Sequence, residues 1–301
     1  MKRMLLIATV ILMACDGGKS DEALILDLTD FPLPLAASTA AIYNGELYVF
    51  GGSDNYNGDT TYQSIFKFNG SSWETVDTMF NDATWDGKVL IKENFAYYVS
   101  GWPDISGALK RYNFTTKTWT GLDTGGIGSN WGTTAQIVGN KIYHFDSYGE
   151  VEVYDMNTNQ WLSRNPNGLK NGSERGLTSV VHDGNIFVTG YGDTVLYKYH
   201  VDADSFSVES VMPRSITSCV MVELENKIYF IGGSENDEEA YVYSDSYIYD
   251  ITEQEWTHSS IALKTPSIYT AYVLSGSTVY VIGGINASGD GITDAYKISL
   301  K

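Results

Sequence analysis

Along most of the chain, short runs of alternating apolar and polar residues are broken by Gly, Asn and Asp. Alternation with period two over that length marks half-buried β-strands, and the punctuation marks tight turns. One phrase recurs: a turn, an apolar residue with an aromatic, then a strand that often ends in Gly-Gly. It reads Gly45-Glu-Leu-Tyr48-Val-Phe-Gly51-Gly52, Phe95-Ala-Tyr-Tyr98-Val-Ser-Gly101-Trp102 and Asn140-Lys-Ile-Tyr143-His-Phe. It continues as Asn185-Ile-Phe187-Val-Thr-Gly190-Tyr191, Asn226-Lys-Ile-Tyr229-Phe-Ile-Gly232-Gly233 and Thr278-Val-Tyr280-Val-Ile-Gly283-Gly284. The anchoring aromatics at 48, 98, 143, 187, 229 and 280 are 50, 45, 44, 42 and 51 residues apart. A second phrase follows the first five copies: Phe68…Trp73, Tyr112…Trp119, Tyr154…Trp161, Tyr199…Phe206 and Tyr249…Trp256, the last four with a gap of seven.

Each unit therefore holds about four short strands. A single sheet of this kind leaves both faces apolar, so it must stack on copies of itself, and radial stacking closes a ring with protected edges. The paired phrases resemble the kelch repeat, and the resemblance covers residues 23–301. It implies that Gly-Gly ends the second strand of each blade and that the Tyr and Trp sit on the third and fourth. Trp102 and Tyr191 stand where the second glycine is expected, and the third copy has Asp146-Ser147 in place of both. The sixth copy stops at Tyr296-Lys-Ile-Ser-Leu300, one strand short, while Ala23-Leu-Ile-Leu-Asp-Leu28 is a surplus strand at the front. Pairing of 23–28 with 295–300 would complete the last blade. The expected fold is thus all-β, a six-bladed kelch-type β-propeller whose last blade is closed by an N-terminal strand. This one ring replaces the two domains that length alone suggests.

Residues 1–14 have a different character. Lys2 and Arg3 precede the apolar run Met4–Met13, too short for a bilayer span of about 20 residues, and the pattern is that of a secretory signal. The stretch Leu12-Met-Ala-Cys15 resembles the lipobox of bacterial lipoproteins. That resemblance implies cleavage before Cys15, its acylation, and a polar tether over 15–22; an ordinary cleaved signal is the plainer alternative. Two or more acyl chains anchor a protein stably where one does so marginally. The implied location is the bacterial cell envelope, periplasmic or at the cell surface, with the membrane reached through the lipid.

Charge and cysteine content narrow the partners. The 19 Lys+Arg against 37 Asp+Glu give a net charge of −18, which argues against nucleic acid, since phosphate binding needs clustered Lys and Arg. Loss of residues 1–14 removes two basic residues, leaving 17 basic against 37 acidic and a charge near −20. Two cysteines cannot build a disulfide framework. Cys219 lies in the apolar run Ser218–Val222, where a small buried thiol is the default.

Strands in a blade run alternately up and down, so successive connections fall on opposite faces of the ring. One face receives two-residue turns such as Asn44-Gly45 and Gly139-Asn140, and short loops such as 69–71 and 157–159. The other receives 53–64, 121–132, 163–176, 234–245 and 285–294, lengths that usually carry function on a rigid frame. Residues entering the innermost strands from that face crowd the axis: Trp85, Asp86, Trp131, Glu174, Arg175, Arg214 and Tyr269, joined by Trp102 and Tyr191. Aromatic rings beside charged groups can bind sugars or peptides. The same aromatics can equally pack between blades, with the arginines paired to neighbouring carboxylates.

No cofactor is implied. The loop Ser53–Asp59 has the Asn-x-Asn-Gly core of a calcium loop but lacks its first Asp and closing Glu, and the acidic stretches 235–239 and 290–294 read as solvated charge. The four histidines are scattered, and no catalytic or nucleotide-binding phrase is present. Three function classes remain. The first is a monomeric, lipid-anchored module that holds an envelope protein or glycan on the long-loop face. The second is an enzyme that modifies sugars, because kelch proteins that epimerise sialic acids look similar. The third is a structural subunit of an envelope assembly.

Overall fold

A computed structural model describes residues 24–80, 85–99, 101–102, 109–122, 132–147, 149–165, 169, 176–190, 192, 194–236 and 241–300. Every regular element among them is a β-strand, and the strands form six antiparallel four-stranded sheets. The chain begins with β1 (Leu24–Asp27). Blade one is β2 (Thr39–Tyr43), β3 (Glu46–Phe50), β4 (Ser64–Phe68) and β5 (Trp73–Thr78); blade two is β6 (Lys88–Lys92), β7 (Phe95–Val99), β8 (Leu109–Asn113) and β9 (Thr118–Gly121). Blade three is β10 (Thr134–Val138), β11 (Lys141–Phe145), β12 (Val151–Asp155) and β13 (Gln160–Asn165); blade four is β14 (Thr178–His182), β15 (Asn185–Thr189), β16 (Val195–His200) and β17 (Ser205–Val211). Blade five is β18 (Val220–Leu224), β19 (Lys227–Ser234), β20 (Val242–Asp250) and β21 (Glu255–Ser259). Blade six is β22 (Ala271–Ser275), β23 (Thr278–Ile282), β24 (Ala295–Ser299) and, as its outer strand, β1. The protein is a six-bladed β-propeller, with the first strand of the chain paired antiparallel to the last, Leu24 opposite Ser299 and Asp27 opposite Tyr296.

The core lies at the seams between blades. Six buried clusters, one per seam, join the face of each sheet to the next. The closing seam is sealed by Phe31, 1% exposed, whose ring lies 4.8 Å from Phe66 and 4.9 Å from Trp73.

The Tyr…Trp spacing is explained by register. Tyr112 and Trp119, Tyr154 and Trp161, and Tyr249 and Trp256 stand directly opposite each other on the third and fourth strands, with ring centroids 5.1, 5.1 and 4.9 Å apart. The indole N–H then reaches the preceding blade or its stand-in. Trp119 donates to the Thr78 carbonyl at 3.0 Å, Trp256 to Ser210 Oγ at 2.9 Å, and Trp73 to the Thr29 carbonyl of the closing segment at 2.9 Å. Thr29 thus does for blade one what Thr78 does for blade two.

Two features differ from the sequence reading. In blade two the pairing Lys88–Val99 is the counterpart of Thr39–Phe50, so the anchoring aromatic is Tyr97 rather than Tyr98. Gly101, with φ of 112°, then takes the place of Gly52 (φ 104°), and Trp102 falls one position further along. Adjacent tyrosines made the two registers equivalent to the eye. Two long loops are also shorter than the sequence pattern suggests, because β13 runs on to Asn165 and β20 begins at Val242.

The second glycine of a pair is required by a close approach. A Cβ on Gly233 would lie 2.5 Å from the Thr217 carbonyl oxygen, where the chain enters the innermost strand of the same blade. That entry segment has its own repeat. Two residues before each innermost strand the backbone is left-handed: Ala37 (φ 48°), Asp86 (61°), Gly132 (71°), Gly176 (63°), Ser218 (50°) and Tyr269 (50°).

Candidate functional site

These six left-handed residues form a collar around the axis. Backbone N–H groups cross from blade to blade: Ala37 to the Tyr269 carbonyl at 3.0 Å, Asp86 to Ala37 at 2.6 Å, Leu177 to Gly132 at 3.0 Å and Ser218 to Gly176 at 2.9 Å. Between blades two and three the link is made by a side chain, the Gly132 N–H donating to Asp86 Oδ2. Asp86 is 2% exposed, and burial raises its pKa above the usual value of 3.8, opposed by Lys88 and the Gly132 N–H. Lys88 Nζ lies 3.5 Å from Asp86 Oδ1.

Below the collar the axis holds a cavity of about 140 Å³, walled by the innermost strands and their entry residues. Much of its polar wall is self-satisfied. Thr39 Oγ1 accepts from the Val89 N–H at 3.1 Å, Thr134 and Ser179 hydroxyls meet at 2.7 Å, and Gln136 Nε2 donates to the Ser179 carbonyl at 2.7 Å. Two wall residues are not: Ser38 Oγ and Thr133 Oγ1 are buried with no hydrogen-bond partner.

Above the collar lies an apolar plug. Trp85 (9% exposed) and Tyr269 (7%) pack with Ala36, Ala37, Ile268 and Ile285, and Tyr56 meets Tyr269 edge-on at 6.2 Å. Trp85 and Trp102 bond each other's backbones, at 3.0 and 2.9 Å, while the Trp102 side chain is 45% exposed. The loop from β3 to β4 covers Trp85: a Cβ on Gly58 would lie 2.6 Å from its indole nitrogen. That loop is braced against the β23–β24 loop of blade six, through Tyr56 N–H to Gly289 (3.1 Å) and Gly291 N–H to Asp54 (3.0 Å). Its polar side chains are turned to internal bonds, Asp54 Oδ1 taking the Thr60 N–H at 2.9 Å and Asn55 Oδ1 the Asn57 N–H at 2.9 Å. Among the described residues no group of three His, Cys, Asp or Glu is placed to hold a metal.

The residues singled out from the sequence therefore fall in several places. Trp85, Trp102 and Tyr269 come together at the mouth of the axis, but two of the three are buried in the plug and only Trp102 is open to a ligand. Arg214 joins a different group on blade five. Its guanidinium donates to Asp245 Oδ1 at 2.7 Å and lies 3.6 Å from the centre of the Tyr243 ring. His258 Nε2 meets the other Asp245 oxygen at 3.0 Å. Although burial pushes Asp245 up, the Arg214 guanidinium and the hydrogen bond with His258 hold its carboxyl below the usual range. Trp131, Glu174, Arg175, Tyr191 and Cys15 lie outside the described residues. Cys219 is buried, and burial pushes its thiol up to about 12, which leaves it inert.

The sequence pattern alone does not point to Lys88, Ser38 and Thr133, nor to a buried pair in blade three. There His144 Nδ1 and Glu152 Oε2, on adjacent strands, lie 3.0 Å apart, with His144 Nε2 unpartnered. The available signal was the alignment of the six entry segments, in which Ser38 and Thr133 take equivalent positions that other blades fill with Gly87, Leu177, Cys219 and Thr270.

No family model matches the chain, and no curated protein matches it. Among solved structures it is similar to that of YjhT, with a TM-score of 0.73 and 15% identity over 91% of this chain and 97% of that one. At that identity the likeness bears on the fold. The number of solved chains that match, 1284, means the fold alone selects no activity.

Proposed function

We propose that the chain is a kelch-type binding module, lipid-anchored at Cys15 in a bacterial envelope, which holds a protein or glycan on its long-loop face. The observation that carries this reading is the asymmetry of the two faces. On one, first and second strands are joined by two-residue turns: Tyr43 is followed by Glu46, Val138 by Lys141 and Ser275 by Thr278. On the other, β3 and β4 are separated by 51–63, and β23 and β24 by 283–294. These two loops are braced against each other, and the β7–β8 and β19–β20 connections of the same face present Trp102 and Tyr241, 45% and 57% exposed. Large exposed rings on a rigid frame suit stacking against sugar or peptide.

The anchor reading is supported by where the ring begins. β1 starts nine residues after Cys15 and lies on the outer edge of blade six, with Leu24, Ile25 and Leu26 exposed at 55%, 38% and 50%. A chain of about nine residues reaches at most about 30 Å, so an acylated Cys15 would hold this edge near the bilayer.

The test is a glycan array and envelope-protein crosslinking from residue 102, with the full chain in detergent. Retention of one class, weakened about tenfold by Trp102→Ala, is the expected result. Binding indifferent to Trp102, or crosslinks confined to the short-turn face, would overturn the long-loop reading. Separately, Cys15→Ser should release the chain from the membrane fraction; continued acylation would overturn the anchor.

A further inference from the structure

The axial cavity has a chemistry of its own, independent of any ligand on the loop face. Three consecutive blades supply its polar groups: the unpartnered hydroxyls of Ser38 on blade one and Thr133 on blade three, and between them the Asp86–Lys88 ion pair of blade two. Ser38 and Thr133 take equivalent positions in their blades, with Asp86 on the blade between them. Both residues are nine-tenths or more buried, at 8% and 0% exposed, and their hydroxyls have no hydrogen-bond partner in the protein. A buried hydroxyl without a partner forfeits the hydrogen bond it would make in water, so two of them lining one cavity ask for an occupant. Asp86 spends one oxygen on the Gly132 N–H and offers the other only a 3.5 Å contact with Lys88.

We propose that this cavity is a binding site for a small uncharged polyol of three or four carbons. Charge excludes the alternatives. A cation placed here would meet the Lys88 ammonium, and an anion would meet the buried Asp86 carboxylate. A neutral ligand meets neither penalty. It must both donate, to Asp86 Oδ1, and accept, from Lys88 Nζ, while exchanging bonds with two hydroxyls that can do either; vicinal hydroxyl groups have that versatility. Ala40, Val89 and Leu177 supply an apolar wall for the C–H edges of the ligand. Size sets the limit. At about 140 Å³ the cavity is close to the engineered cavity of roughly 150 Å³ that takes one benzene, a molecule of about six non-hydrogen atoms. Glycerol has that size, and erythritol is one carbon longer.

The experiment is ligand-observed saturation-transfer NMR on the full chain in detergent, with glycerol, erythritol, glycerol 3-phosphate and benzene as probes. Glycerol or erythritol should give saturation transfer, at least tenfold more strongly than the phosphate ester or benzene. Asp86→Asn should weaken the polyol at least tenfold. Because Asp86 also links two blades, Thr133→Val and Ser38→Ala decide the matter if that variant fails to fold. Each should weaken binding at least fivefold while leaving the melting midpoint unchanged or higher, since the hydroxyl removed has no protein partner. A structural role for Thr133 would instead lower the midpoint. No saturation transfer from either polyol, or transfer unaffected by Thr133→Val and Ser38→Ala, would mean that water alone fills the cavity and would overturn the assignment.

Discussion

The rim and the axis of this ring repeat in different currencies. At the rim the side chains recur: an aromatic pair directly opposed across two strands, centroids 4.9 to 5.1 Å apart, with an indole N–H reaching back one blade. At the axis the side chains do not recur. Ala37, Asp86, Gly132, Gly176, Ser218 and Tyr269 share only a left-handed backbone and a place in a hydrogen-bonded collar. Four of the six are not glycine and carry a strain of about 1–2 kcal/mol each. The collar over-determines that conformation, so the residue is free to vary. Repetition of side chains therefore marks what closes the ring, and repetition of backbone alone marks where chemistry can differ from blade to blade.

The sharpest test of the rim is its closing seam. Deleting residues 24–31 removes the β1–β24 ladder, Phe31 and the acceptor of the Trp73 indole together. Phe31→Ala alone should cost about 3–5 kcal/mol, and at about 2 °C per kcal/mol for a chain of this size the midpoint falls by about 6–10 °C. The deletion should do more. A melting curve unchanged by either would show that the seam does not close the ring.

Next in size is the aromatic pair. Trp119→Ala loses ring contacts with Tyr112 and Phe80 and the bond to Thr78, from a site that is half-buried. About 2–3 kcal/mol should be lost in urea unfolding, less than a fully buried Trp because part of the surface is already wet. Trp256→Phe, which keeps the ring and loses the indole donor to Ser210, should cost only about 1 kcal/mol. Equal losses for the two would show that packing adds nothing beyond the hydrogen bond.

The same contrast explains what could be read in advance. Blade number and closure were legible because the rim repeats its chemistry: Tyr154…Trp161 and Tyr249…Trp256 announce a cross-strand pair, and the strand missing after Leu300 is matched by one at residue 24. The blade-two register was not, because Tyr97 and Tyr98 both satisfy the pattern while only the ladder decides which faces blade three. At the axis the sequence offered Trp85 and Tyr269 as binding residues, and packing made them a plug. Arg214 found Asp245, 31 residues on, a pairing set by how β20 continues past Val242. Backbone handedness at Ala37 or Ser218 leaves no trace in residue type, so the collar was invisible.

A pH series probes the axis through Asp86. Its folded pKa is raised above 3.8, so the folded chain holds this proton more tightly than the unfolded chain. The contribution is complete below 3.8 and is lost as pH rises through the folded value. Relative to Asp86→Asn, which cannot titrate, the native chain should therefore gain urea midpoint as pH falls from 7 toward 4. A difference that stays flat, or runs the other way, would place Asp86 in a solvated setting and break the contrast between collar and rim.

The smallest effect on stability is expected where the two regions meet. Trp85 and Trp102 pair by backbone, and each contributes one N–H and one carbonyl to that pair. Their side chains face opposite fates, 9% against 45% exposed. Because the pairing uses no side-chain atom, Trp102→Ala keeps both hydrogen bonds and uncovers little apolar surface, so unfolding should shift by no more than about 0.5 kcal/mol. Binding on the long-loop face should fall about tenfold in the same variant. A stability loss as large as that of Trp119→Ala would instead make Trp102 part of the frame. The mouth of the axis would then be closed packing throughout, and the ligand surface would have to lie elsewhere among the long loops.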